Sequence, residues 1–102
     1  MAITIESSRK SAKQTATLAS VHFFRAKKKD PTFSIPFNDD SQFKVATAFY
    51  TWLIKNTNEP DVVMTRQSQL KTAIEQMEVD TTIATTKDVL ATADKLYNWI
   101  NS

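Results

Sequence analysis

The apolar positions of this chain fall into stripes with a helical period. Ala12, Ala16, Ala19, Phe23 and Ala26 recur at alternating spacings of four and three, which is one face of a helix. The face is mostly small, so a neighbouring helix can approach it closely. Lys10, Lys13 and Thr17 fall on the opposite side. Ser7 or Ser8 is available as a cap, and Asp30, preceding Pro31, is pushed out of the α region. A first helix is therefore expected over residues 8–29. Ahead of it, "AITIE" alternates apolar and polar positions. No second convincing strand is present to pair with it, so residues 1–6 are read as an extended arm.

Residues 30–40, "DPTFSIPFNDD", form the clearest linker. Phe33, Ile35 and Phe37 alternate with polar or proline positions, and Pro36 lacks the N–H that a central strand needs. The expectation is an extended loop that lays aromatic side chains onto the core. A second helix is expected over 40–57, beginning after Asp39 with Gln42 as its box partner. Val45, Ala46, Phe49, Trp52 and Leu53 give it a wide apolar stripe, flanked by Tyr50 and Ile54, and mark it as the core helix. In "NEPD", Asn58 reads as a cap, Pro60 as a first-turn residue and Asp61 as a charge at the positive end of the helix dipole. The third helix, over 59–79, carries Val63, Gln67, Leu70, Ile74 and Met77 on one face. Val62 and Val63 are β-branched, so an extended first turn with Thr65 as cap is the alternative. The fourth helix, over 86–101, is capped by Thr85 with Asp88 three residues on, and Val89, Ala93, Leu96 and Ile100 line one side. The fold class is all-α: a small four-helix bundle-like single domain with an N-terminal arm and a Pro-containing aromatic linker between helices 1 and 2.

Composition sharpens this picture by what it lacks. The 102 residues contain no glycine, where average usage of about 7% would supply roughly seven. Gly-rich phosphate loops and tight type I′ hairpins are thereby removed. Helix ends must use asparagine for left-handed backbone, and Asn56, Asn58 and Asn101 are the candidates. Cysteine is absent too, which excludes disulfides, thiolate nucleophiles and cysteine-ligated metal sites. It fits a reducing compartment, and a cytoplasmic location is expected. No apolar segment is long enough to span a bilayer. Residues 7–29 are Ser/Ala/Lys-rich, a composition shared with transit peptides.

Charge changes the picture once more. Residues 1–29 hold seven basic side chains and one acid, whereas residues 30–102 hold six basic and ten acidic. The stretch "VHFFRAKKKD" concentrates that asymmetry. Cations at a helix C-terminus gain about 0.3–1 kcal/mol each from the dipole, which accounts for one or two of them. Arg25, Lys27, Lys28 and Lys29 exceed that need and are the candidate contacts for an anionic partner. A plain solvated charge cluster is the bland alternative.

Catalytic chemistry finds little support. His22 is the only histidine, and on a helix between Val21 and Phe23 it reads as a residue at the edge of the core. Asp39–Asp40 lies at a helix start, where carboxylates favour the dipole in any case. Glu75–Glu78 is an i, i+3 pair on an exposed face. Neither comes with the further ligands a metal needs. No catalytic residue, cofactor or metal is therefore assigned, and a non-enzymatic protein is expected. The leading expectation is a small protein-binding module: an adaptor, inhibitor or assembly factor, of the motif-poor kind common among viral and mobile-element chains. The alternative is nucleic-acid binding through the basic first helix. A helix-turn-helix is disfavoured, because a long Pro-containing linker follows that helix where the motif needs a short turn. Tyr50, Trp52, Tyr97 and Trp99 are more aromatic surface than one core of this length readily hides, which raises a homodimer.

Overall fold

The computed structural model describes residues 4–102. Four helices account for most of it: α1 (Ile5–Lys27), α2 (Asp39–Ile54), α3 (Pro60–Met77) and α4 (Thr86–Ile100). No strand occurs among the described residues. The expected all-α bundle is the fold.

Caps explain where the helices start. Thr4 caps α1, its hydroxyl accepting from the Ser7 N–H at 3.0 Å. Neither Ser7 nor Ser8 caps; Ser8 is fully buried and donates its hydroxyl to the Ile5 carbonyl at 2.8 Å. The arm expected over residues 1–6 is thus corrected. Ile5 and Glu6 are helical because Thr4 offers an extended backbone and a side-chain acceptor one turn earlier. Residues 1–3 of that arm lie outside the described residues. The start of α2 is also shifted by one residue. Asn38, not Asp39, is the cap, and the box partner is Ser41, not Gln42. Ser41 accepts from the Asn38 N–H and donates to the Pro36 carbonyl, so its short hydroxyl ties the linker to the helix. α3 has no side-chain cap; Glu59 stands at the cap position and Pro60 opens the helix. Asn58 is instead an acceptor for the Arg9 guanidinium at 3.2 Å. The alternative start at Thr65 is likewise excluded, since Val62 and Val63 are helical. α4 begins as expected, with Thr85 and Asp88 forming a reciprocal capping box.

Helix ends divide between two devices. α2 ends where Lys55 leaves the helix at φ −59° and ψ 122°, and Asn56 follows at φ 54°, a value that glycine would otherwise supply, in a turn that brings the Thr57 N–H to the Ile54 carbonyl at 3.4 Å. Asn101, the other flank, stays at φ −94°. α1 and α3 end in the same short motif. After α1, Asp30 accepts from the N–H and hydroxyl of Thr32, and the Phe33 N–H returns to the Asp30 carbonyl. After α3, Asp80, Thr82 and Ile83 make the same bonds. In each case the residue after the turn is apolar and folds inward: Ile83 is buried and Phe33 packs on the core.

Contacts between α1 and α3 advance together along both helices. Arg9 meets Asn58, then Ser11 and Thr15 meet Gln67, then His22 and Arg25 face Lys71, Glu75 and Glu78. The two helices therefore run parallel. Ala12, Ala16 and Ala19 of α1 and Ala73 of α3 are all buried. α2 packs on α1, α4 packs on α3, and α2 also touches α3 and α4. Phe49, Leu53, Val63, Leu70 and Val89 fill the space between at zero exposure. Parallel α1 and α3 bring both of their following turns to one end of the bundle. Among the described residues no helix is long and apolar enough to cross a membrane.

Candidate functional site

The turn end of the bundle gathers the basic and aromatic residues that the sequence singled out. Phe23 and Phe24 are consecutive on α1, about 100° apart around it, and both are buried. Phe23 points to the core and meets Phe49 edge-on at 6.3 Å. Phe24 faces the linker. Its ring meets Phe33 at 5.9 Å and Phe37 at 5.3 Å, both edge-to-face. The linker is thus held against α1 by ring contacts, each worth about 0.5–1.5 kcal/mol beyond area burial. The expectation that it lays aromatics on the core holds for Phe33. Ile35 and Phe37 differ, each remaining 55% exposed. Pro36 lies between them, and Ser41 holds its carbonyl, so the chain bends into α2 before these side chains can turn inward.

Phe33 and Ile35 form a ridge with a groove on either side. One groove, of about 410 Å³, lies between the ridge, α2 and the start of α4, with Lys27 and Lys44 on its walls. The other, of about 480 Å³, lies between the ridge and α1, with Phe37 at its edge and Arg25 and Lys28 on its walls. Among the described residues no carboxylate lines either groove.

The four candidate cations have different fates. Arg25 and Lys28 are exposed and share the second groove. Lys27 is drawn in, its side chain only 11% exposed. Its ammonium lies 3.4 Å from the Asp30 carboxylate and 5.1 Å from the centre of the Phe33 ring. Thr32, through its hydroxyl and then its N–H, holds the Asp30 carboxyl below the usual aspartate range, with a smaller contribution from Lys27. Asp88, held low chiefly by the N–H groups of Ala84 and Thr85, also feels the Lys27 charge. Lys29 is exposed and lines neither groove. Lys44 is the contributor that the sequence reading missed. Its only signal is its place beside Val45 at the edge of the α2 stripe, and nothing local ties it to residues 24–35.

His22 lies elsewhere, in a cavity of about 670 Å³ between α1 and α3 that it shares with Arg25, Lys71, Glu75 and Glu78. Both glutamates are exposed. Among the described residues no group of three or more histidine, aspartate or glutamate side chains is placed to hold a metal ion. The turn end presents apolar surface framed by positive charge. Comparison of the chain with protein-family models, curated proteins and solved structures returned no match.

Proposed function

We propose that this chain is a non-enzymatic protein-binding module, of the adaptor, inhibitor or assembly-factor kind, and that it binds through the ridge and grooves at the turn end of the bundle. The observation that carries this reading is the half-exposure of Ile35 and Phe37 beside the buried Phe24. Contiguous apolar side chains left on a surface and rimmed by polar groups mark interaction sites. Aromatic anchors at a patch centre with arginine close by are the usual make-up of energetically dominant contacts. Its cysteine-free composition suits a reducing compartment, and a cytoplasmic site of action is part of the proposal.

A pull-down from the native cell, with and without nuclease, tests it. The module should retain a protein partner after nuclease treatment, and Ile35→Asp/Phe37→Asp should release that partner while keeping a helical circular dichroism spectrum. Retention by the double variant contradicts the reading. Nucleic-acid binding is the second reading, because Arg25, Lys28 and Lys29 are exposed and the one ion pair among the described residues uses Lys27. A duplex that fails to bind at about 50 mM salt, where phosphate electrostatics are strong, removes it. The aromatic surplus that raised a homodimer narrows to Trp99, which is 75% exposed while Tyr50, Trp52 and Tyr97 are partly buried. Sedimentation at monomer mass at high micromolar concentration takes the homodimer out of the proposal.

A further inference from the structure

We infer that the occupant of this surface is a short acidic segment of a partner protein that carries two large apolar side chains, one seated on each side of the Phe33–Ile35 ridge. The inference rests on the protein-binding reading above and adds the chemistry of the partner. Its first support is shape. Two apolar grooves of similar size share the ridge as a common wall, so one side chain cannot fill both, and a segment crossing the ridge fills them in turn.

Its second support is charge complementarity. Residues 30–102 are rich in carboxylates, yet none lines either groove, while Lys27 and Lys44 flank one and Arg25 and Lys28 flank the other. Of the carboxylates nearby, Asp30 already serves Lys27 and Thr32, Asp88 serves the start of α4, and Glu75 and Glu78 meet Arg25 and Asp40 meets Lys44 only around separate hollows. Lys28, Arg25 and Lys44 are exposed, and among the described residues none of them has an acidic side chain within 4 Å. Acidic residues flanking the two anchors would meet these cations at the rim, where charge speeds encounter and rejects basic competitors. A nucleic acid fits less well. It would satisfy Arg25 and Lys28 and leave Ile35 wet, and the Phe24 ring is too buried to serve as a stacking platform.

Selection of random displayed peptides on the full chain tests the inference. Enriched peptides should carry two large apolar residues flanked by Asp or Glu, and should be lost on Ile35→Asp/Phe37→Asp. Arg25→Glu/Lys28→Glu keeps the apolar walls and should weaken a selected peptide by about tenfold or more at low salt, with a smaller effect at high salt. Groove-dependent enrichment of neutral or basic peptides overturns the acidic chemistry and leaves the protein-binding reading standing. Absence of any enrichment that depends on Ile35 and Phe37, with or without binding of a DNA duplex, overturns both.

Discussion

Arg66 shows how much one side chain can hold in this protein. Its guanidinium donates to the carbonyls of Trp52, Leu53 and Lys55, at 3.2, 3.3 and 2.7 Å, and so closes the C-terminus of α2 from a position on α3. The same group lies 5.8 Å from the Trp52 ring centre and 5.5 Å from that of Tyr97. Bonds from a charged donor and ring contacts of this kind combine to an expected loss of about 1.5–3 kcal/mol in Arg66→Met. Arg66→Lys should recover only part: all three carbonyls are reached by one nitrogen, Nη1, which an ammonium can imitate, but an ammonium lacks the flat face that lies against the Trp52 and Tyr97 rings. Urea denaturation of the two variants measures both effects. The aspartates act by titration. Asp30, Asp80 and Asp88 all sit below the ordinary value of 3.8 in the folded chain, through hydrogen bonds from Thr32, Thr82 and the Ala84–Thr85 backbone respectively. The unfolded chain therefore takes up their protons first as pH falls. Their contribution to stability is whole above the unfolded value, shrinks as pH drops through it, and is gone below the lowered folded values. Converting all three to Asn keeps an acceptor oxygen at each site and removes the titration. Stability of that variant should change less than wild type between about pH 5 and pH 2, as followed by urea midpoints across that range.

At the level of elements, the α1–α3 seam carries a buried polar contact. Gln67 is buried and accepts from the hydroxyls of Ser11 at 3.0 Å and Thr15 at 2.7 Å. Gln67→Leu strands the buried Thr15 hydroxyl and should cost about 1–3 kcal/mol. Adding Thr15→Val should return part of that loss, and a double-mutant cycle by chemical denaturation reads the coupling. The helical stripes of these elements are plain in the sequence, because burial of one face imposes its period along the whole of each helix. Helix starts are less so. Before α2, Asn38, Asp39 and Asp40 are all competent caps, and the choice falls on the residue whose backbone leaves the linker extended, which only the path from Pro36 decides. The candidate site divides in the same way. Arg25 and Lys28 lie three apart on one helix, so their shared surface follows from the spacing. The withdrawal of Lys27 depends on the Asp30 turn, and the contribution of Lys44 depends on how α2 folds back along α1.

For the molecule as a whole, a radius of gyration of 13.6 Å is close to the roughly 13 Å of a compact hundred-residue domain. A chain without glycine thus reaches ordinary density, with one left-handed asparagine and two aspartate–threonine turns among the described residues at its bends. All packed helices draw on one core. Phe49→Ala should therefore cost about 3–5 kcal/mol and Leu53→Ala about 2–5 kcal/mol. Either is a large share of the roughly 5–15 kcal/mol that holds a domain of this kind together. Urea unfolding monitored by tryptophan fluorescence and by circular dichroism should show each loss as one coincident transition, and separate transitions would mean that the helices do not share a core.

The parallel course of α1 and α3 also decides where the chain can be held. Thr4, the 55–59 connection and the end of α4 gather at the pole opposite the two turns, as the Arg9–Asn58 and Arg66–Tyr97 contacts show. At 1.5 Å per residue, the 23 residues of α1 set the ridge about 35 Å away. Anchoring to a sensor surface beside Thr4 or beside the end of α4 should accordingly leave the proposed peptide affinity unchanged. A tandem fusion through a flexible spacer would hold two copies of the proposed surface away from a common stem, a geometry in which any avidity is set by the length and stiffness of the spacer.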